Sequence, residues 1–334
     1  MTTAHTGGGA HEKLTMVAAL NTALADAMAE DTDVLLQGED IGVLGGVFRV
    51  TDGLQKRFGA DRVIDSPLAE SGLVGTAIGM ALGGLRPVVE IQFDGFVFPA
   101  FNQIVTQLAK MHARSQGMVR LPVVIRMPYG GGIGGIEHHS ESPEAYFMHT
   151  AGLRVVSPSQ PEDAYWMLRQ AIRSDDPVIF LEPKRRYWEG AEVDLSEPPA
   201  PLHSARVVRP GDDLTLVGYG PSVKLCLEVA DAAATEGRSV EVVDLRSLSP
   251  LDIDTVERSV RRTGHLVVVH EAPTFVGPGA EIVAKVQERC FYHLESPVLR
   301  VGGFHAPYPP ARIEDDYLPG LDRVLHVMEQ SLAH

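Results

Sequence analysis

A carboxyl group at the end of a buried strand can hold a proton for a ligand, and Asp65-Ser66-Pro67-Leu68-Ala69-Glu70-Ser71-Gly72 presents one. The apolar run Arg62-Val63-Ile64 precedes it and a glycine-rich apolar helix follows, so Glu70 stands where open α/β sheets bind ligands. Two readings are open. A carboxylate near a helix N-terminus can act as a cap residue, stabilising by about 0.3–1 kcal/mol. Alternatively Leu68, Leu73 and Val74 desolvate the carboxyl and let it share a proton with a ligand nitrogen. The helix that follows carries Gly75, Gly79 and Gly83 in a four-residue stripe, each costing about 1 kcal/mol relative to alanine. Such a stripe implies close approach of another backbone, either this chain's own sheet or a helix of another subunit.

A second candidate is the loop Tyr129-Gly130-Gly131-Gly132-Ile133-Gly134-Gly135-Ile136-Glu137-His138-His139-Ser140. Gly130, Gly132 and Gly135 match the dinucleotide fingerprint in form, but that site also needs an acid after the next strand. The next strand runs into Val155-Val156-Ser157 without one, so the match is discarded. Adjacent histidines seldom converge on one metal, and no further ligand has zinc spacing. Ser140 lacks the strand-turn-helix setting of a nucleophile. A histidine here is either a proton donor or acceptor working near neutrality, or simply bonded to its own loop. A third stretch, Val89 to Gln103, places Phe93, Phe96, Phe98 and Phe101 beyond a strand's carboxyl end. There they can pack a ligand ring, a subunit surface or the core.

The elements that position these groups alternate. Val34-Leu35-Leu36, Arg62-Val63-Ile64, Pro87 to Ile91, Val123 to Arg126, Leu153 to Val156 and Val178 to Leu181 read as strands apolar on both faces. Helical patterns from Leu14 to Ala29 and Pro161 to Arg173 fit crossovers, and the alternation predicts an open doubly wound sheet. The pattern lapses between Tyr187 and Asp213, where Glu197-Pro198-Pro199-Ala200-Pro201 is a stiff linker. A second α/β unit follows. It has strands at Leu214–Gly218, Val240–Leu245, Leu266–Val269 and Val298–Val301, and helices at Ser222–Glu236 and Gly279–Arg289. The fold class is therefore α/β, with two doubly wound three-layer αβα domains. The expected division is a flexible tail over 1–12, a first domain over 13–187, a Pro-rich linker over 188–208 and a second domain over 209–334.

Composition narrows the function. The 334 residues are 44% hydrophobic and 22% charged, with a formal charge of −15. An acidic surface repels phosphate backbones, so nucleic acid is not an expected partner. No stretch is long and apolar enough for a membrane span, residues 1–13 lack a signal-peptide core, and two cysteines make no disulfide framework. A cytoplasmic protein is expected.

Taken together, these segments resemble the β chain of the heteromeric 2-oxo acid dehydrogenases, in the transketolase-like thiamine-diphosphate superfamily. The resemblance runs from about Lys13 to the C-terminus. It rests on Gly38-Glu39-Asp40, Gly45-Gly46-Val47-Phe48-Arg49, Pro67-Leu68-Ala69-Glu70, Glu90-Ile91-Gln92-Phe93, His139-Ser140-Glu141-Ser142-Pro143-Glu144-Ala145, Glu182-Pro183-Lys184, Val243-Asp244-Leu245-Arg246-Ser247-Leu248 and His270-Glu271-Ala272. It implies a pyrimidine-binding domain followed by a transketolase C-terminal-like domain. It further implies that Glu70 pairs with the aminopyrimidine ring of thiamine diphosphate, and that Leu68, Gln92 and Phe96 line the same pocket. His139 would face substrate and the incoming lipoyl group, donating a proton during acyl transfer.

The superfamily holds Mg²⁺ through Gly-Asp-Gly and a later Asn, and no Gly-Asp-Gly occurs here. The resemblance therefore implies that an α subunit supplies the Mg²⁺ ligands, in a heterotetramer of two α and two β chains that docks on a lipoyl acyltransferase core. A K⁺ site is implied near Leu121, Val123, Val124, Ala171, Ser174 and Asp176. The segments Phe93-Asp94-Gly95-Phe96, Ser142 to Phe147 and Phe180 to Lys184 look closest to branched-chain enzymes, with pyruvate and then acetoin as alternative substrates. Two other readings stand beside these: a non-catalytic assembly subunit, and a self-sufficient transketolase-like enzyme, which the missing motif disfavours.

Overall fold

The structure is a computed structural model that describes residues 11–334. The tail expected over 1–12 lies outside the described residues, apart from His11 and Glu12. These two open strand β1 (His11–Thr15). The β-branched runs become β2 (Val34–Gly38), β3 (Val63–Asp65), β4 (Arg86–Glu90), β5 (Val124–Tyr129), β6 (Arg154–Val156) and β7 (Val178–Pro183). After β8 (Gly190–Asp194) come β9 (Arg206–Arg209), β10 (Leu214–Gly218), β11 (Val240–Asp244), β12 (Ser247–Ser249), β13 (Leu266–Pro273) and β14 (Leu299–Gly303).

Two mostly parallel sheets form, as the alternation predicts. One has seven strands in the order β12-β6-β7-β5-β4-β2-β3 and the other five in the order β14-β13-β10-β11-β9. Strands β2, β5 and β7 are buried along their whole length, which is why they carry no polar alternation. From β2 the chain steps to β3 on one side and then to β4 on the other. The carboxyl ends of these three strands therefore open on a topological switch point.

Three features depart from the sequence expectation. Leu14 and Thr15 belong to β1, and Thr15 caps the helix Met16–Glu30 by accepting from the Ala18 amide at 3.2 Å. The expected linker opens with β8, which pairs antiparallel with β1 and ties the two ends of the first domain together. Strand β12, from the second half of the chain, pairs antiparallel with β6 and extends the first domain's sheet. No periodic signal in three residues could reveal that crossing.

The domains share one core. A single buried apolar cluster runs from Val74, Ile104 and Phe147 to Val243, Val268 and Ile282. Polar bonds cross the same boundary. Arg246 lies fully buried after β11 and pairs with Asp163 of the first domain at 2.9 Å. Glu144 is fully buried too, and the Tyr219 hydroxyl donates to its Oε1 at 3.0 Å. Burial pushes the Glu144 carboxyl up to about 8, with small opposition from its own backbone and Tyr219.

That shift has a consequence for stability. Between about 4.5 and about 8 the folded chain keeps a proton on Glu144 that the unfolded chain releases, so this group weakens the fold as pH rises through that window. Glu144→Gln cannot ionise. Its unfolding free energy, measured by calorimetry, should gain on that of the native chain progressively from pH 5 to pH 8, by at most about 1.4 kcal/mol per pH unit, and its Tm should rise in step. A constant difference across that range would contradict a neutral Glu144.

Candidate active site

The carboxyl ends of β2, β3 and β4 bring together Glu39, Glu70, Gln92, Phe93 and Phe96. Glu70 is the first residue of the helix Glu70–Leu82 and half-buried. Its neighbour Glu39 is held above the usual carboxylate range, first by burial and then by the charges of Asp40 and Glu70. The Gln92 side-chain amide donates to the Glu39 carbonyl at 3.4 Å, a long bond that links the β2 and β4 ends.

One expectation fails within the single chain. Leu68 does not close over Glu70; it projects outward and is 70% exposed, because the Ser66–Ala69 turn carries it clear of the core. Leu73 and Val74 are buried beneath the helix as expected. Packing on the chain's own sheet does not explain the glycine stripe either. Gly75 and Gly79 lie on the exposed face, and a Cβ added to either meets nothing within 4 Å.

His139 enters the site from the loop after β5. Its ring lies 4.2 Å from Phe93 and 5.3 Å from Phe96, centroid to centroid, with His138 at 4.4 Å. Its Nδ1 is buried without a hydrogen-bond partner, so the reading in which this histidine simply bonds its own loop does not hold for that nitrogen. Burial and then the His138 charge pull its pKa below the ordinary value, with Asp94 opposing. The neutral ring therefore dominates at pH 7, and the protonated form is a stronger acid than a free imidazolium. Ser140 is fully buried and unavailable to attack anything.

The loop carrying His139 is held from both domains. Gly130 donates to the Glu141 carbonyl at 3.0 Å and closes the loop at its base. The Gly131 amide donates to Glu271 at 3.0 Å and the Gly132 amide to Glu314 at 2.9 Å, both acids of the second domain. A Cβ on Gly130 would lie 2.6 Å from the Glu271 carboxylate, so a side chain there would displace the clamp. The loop's glycines serve this clamp and a φ of +79° at Gly130 rather than a phosphate.

Beneath the site lie charged groups that the sequence reading quoted without a role. Arg126 of β5 bonds Glu182 of β7 through two nitrogens at 2.7 and 3.0 Å and Glu90 of β4 at 2.9 Å. The Tyr187 hydroxyl donates to Glu182 at 2.6 Å. Lys184 and Asp94 form a second pair at 2.8 Å, each at most 1% exposed. Charged residues at the ends of otherwise apolar strands were the available signal.

The residues named for K⁺ lie elsewhere. Leu121, Val123 and Val124 lead into β5, and Ala171, Ser174 and Asp176 precede β7, at the amino-terminal edge of the sheet opposite Glu70. The two segments touch through the Val178 amide, which donates to the Val123 carbonyl at 2.9 Å. The Ala171 carbonyl already accepts from Ser174, and the Asp176 carboxylate from Arg154.

Comparison with known proteins supplies relatives. Residues 12–188 match the family model "Transketolase, pyrimidine binding domain", and residues 203–324 match "Transketolase, C-terminal domain". The chain is 61% identical over 323 residues to the pyruvate dehydrogenase E1 component subunit beta of Leifsonia xyli subsp. xyli, covering 97% of this chain and 96% of that one. It is 56% identical over 322 residues to the 3-methyl-2-oxobutanoate dehydrogenase subunit beta of Mycobacterium tuberculosis, covering 96% and 92%. The 2-oxoisovalerate dehydrogenase subunit beta of Pseudomonas aeruginosa is 48% identical, with 93% of each chain covered. A solved structure titled "Split gene transketolase, inactive beta4 tetramer" superposes with a TM-score of 0.77 at 21% identity, over 96% of this chain and 98% of that one.

The packing around His139 makes a specific demand on Gly95. A Cβ there would collide with the His138 carbonyl oxygen, which is backbone and cannot rotate away. Gly95→Ala should therefore destabilise the chain by about 1–3 kcal/mol. Gly79→Ala, in open space on a helix, should be neutral or stabilise by up to about 1 kcal/mol. Urea midpoints of the two variants measure the contrast.

Proposed function

This chain belongs to the β subunits of the 2-oxo acid dehydrogenase first component, and we propose that Glu70 and His139 carry its share of the chemistry. The family depends on thiamine diphosphate. The chemistry that cofactor supplies when bound is cleavage beside a carbonyl, with its thiazolium ring as electron sink. The fit of this chain to the pyrimidine half of the cofactor rests on the open, half-buried ring of Phe96, the Gln92 amide and the Glu70 carboxyl converging at one strand edge. Glu70 would hold a proton at the cofactor's aminopyrimidine, Phe96 would pack against that ring, and Leu68 would cover it once the site is closed. His139 donates a proton as the lipoyl disulfide opens, a task suited to an imidazole whose burial makes its protonated form a readier acid.

The single observation that carries this reading is the outward-facing apolar wall. Leu68 is exposed beside a carboxyl that needs dry surroundings, so a second subunit must complete the crevice. We assign that role to an α subunit, which also supplies the Mg²⁺ ligands, in an assembly of two α and two β chains feeding a lipoyl acyltransferase core. The exposed glycine stripe fits a helix crossing between subunits. A K⁺ ion on the carbonyl-rich segments before β5 and β7 would brace the fold, since it lies at the edge remote from His139. The acidic surface and two unpaired buried cysteines fit a cytoplasmic setting.

For substrate we propose a branched-chain 2-oxo acid. Ile133 and Ile136 are 43% and 51% exposed on the loop that ends at His139, whose ring packs against Phe93, and they add apolar surface to that loop. Pyruvate is the second reading, favoured by the name of the 61% identical relative.

Reconstitution with an α subunit, thiamine diphosphate and Mg²⁺ tests these assignments. Turnover should require both chains, and kcat/KM for 3-methyl-2-oxobutanoate should exceed that for pyruvate by about 10-fold or more. Glu70→Gln should lower turnover by about 100-fold or more, because the shared proton is lost. Native turnover in that variant would reduce this chain to an assembly subunit. Gly79→Ala should leave the isolated chain folded but weaken assembly, as read by sedimentation.

A further inference from the structure

Asp94 lies in sequence between Phe93 and Phe96, the two aromatic residues that flank His139, and its side chain is buried. Oδ1 accepts from Lys184 Nζ at 2.8 Å and Oδ2 accepts from the Glu141 amide at 3.0 Å. Asp94 follows β4, Lys184 follows β7, and Glu141 lies two residues beyond His139. The next residue, Gly95, packs directly under the His138 carbonyl, so the aspartate's own backbone is the floor of the histidine turn. Lys184 lies 5.8 Å from the Phe93 ring that packs at a tilt against His139.

The same strand end holds the other side of the loop. Arg185, adjacent to Lys184, pairs with Glu271 at 2.9 Å, and the second oxygen of Glu271 accepts from the Gly131 amide. Both ends of the segment from Gly131 to Glu141 are thus tied to two consecutive cations after β7. A buried ion pair adds little net stability against an apolar pair of the same shape, because desolvation offsets the attraction. What it supplies is direction: a carboxylate accepting from both an ammonium and an amide fixes the distance between their backbones.

We propose that Asp94 is a positioning residue for the acyl-transfer step, clasping the His139 turn to Lys184 so that the imidazole is held against Phe93 and Phe96. This rests on the role given to His139 above, and the two claims can fail separately. The charged and titratable groups facing that ring are Asp94 after β4, Lys184 after β7, and His138 and Glu137 on its own turn.

The test uses Asp94→Asn, Lys184→Met and the double variant. Imidazole NMR titration of the full chain reads His139, assigned by the resonance lost in His139→Gln. Asp94 favours the imidazolium and Lys184 disfavours it. Asp94→Asn should therefore lower the titration midpoint, Lys184→Met should raise it, and the double variant should lie between. In the reconstituted enzyme Asp94→Asn should cut kcat/KM for lipoyl-domain acylation by about 10- to 100-fold. Its affinity for thiamine diphosphate, read by fluorescence titration, should stay at the native value. A purely structural pair would lower Tm and move neither the midpoints in opposite directions nor transfer alone. Unshifted or same-direction midpoints would overturn the clasp, as would native transfer in Asp94→Asn when His139→Gln is impaired. If His139→Gln itself transfers normally, the role of the histidine falls, and the clasp is judged on the titrations.

Discussion

Five charged side chains, Glu90, Asp94, Arg126, Glu182 and Lys184, are buried along or just beyond β4, β5 and β7, and each is bonded to a partner from another of these segments. A buried charge without its partner is costly, so these strand ends can neither slip in register nor part. The site inherits its geometry from that constraint. Glu90 leads directly into Gln92 and Phe93, Lys184 fixes Asp94, and Tyr187 closes the ring of partners on Glu182. Apolar packing of β-branched strands would hold the sheet together, but it tolerates sliding by small amounts that directional ion pairs do not.

Above this rigid layer the surface is unfinished. Leu68, Ile133 and Ile136 are exposed on the segments that carry Glu70 and His139. The glycine helix beside Glu70 offers a smooth face on which a Cβ would meet nothing. Large exposed apolar side chains beside ionisable groups are unfavourable in a free chain, and they become favourable when a second surface covers both. The division of the crevice between two chains proposed above rests on this arrangement, and the absence of the Gly-Asp-Gly motif is its counterpart in sequence.

The strands that build the sheets were legible because both-face burial leaves a run of β-branched residues that no amphipathic element imitates, as in Val178-Ile179-Phe180-Leu181. The position of Glu70, after a strand and at the start of a helix, was legible too. What could not be read is of two kinds. The pairing of β12 with β6, of Asp94 with Lys184 and of Glu271 with the Gly131 amide joins residues separated by 90 or more positions, and no period in sequence encodes such partners. The exposure of Leu68 was not legible for another reason: an apolar residue beside a carboxyl in sequence carries no record of which way the chain between them projects it, and here it is 70% exposed.

Holding the His139 loop by charges rather than by packing has a physical logic. A loop of glycines offers almost no side-chain surface to bury, so apolar contact cannot hold Gly130 to Gly135 in place. Backbone amides are the handles that remain, and carboxylates are the groups that grip them. Glu271 and Glu314 take the Gly131 and Gly132 amides from one domain, while Asp94 takes the Glu141 amide from the other. Between these fixed ends the His139 ring keeps a buried nitrogen free of any protein partner. An imidazole already satisfied by its own protein would have no unmet bond to offer a reacting group; here the clamp is spent on backbone, and the side chain stays uncommitted. The second domain thereby fixes the backbone of the loop that carries His139, through Glu271 and Glu314.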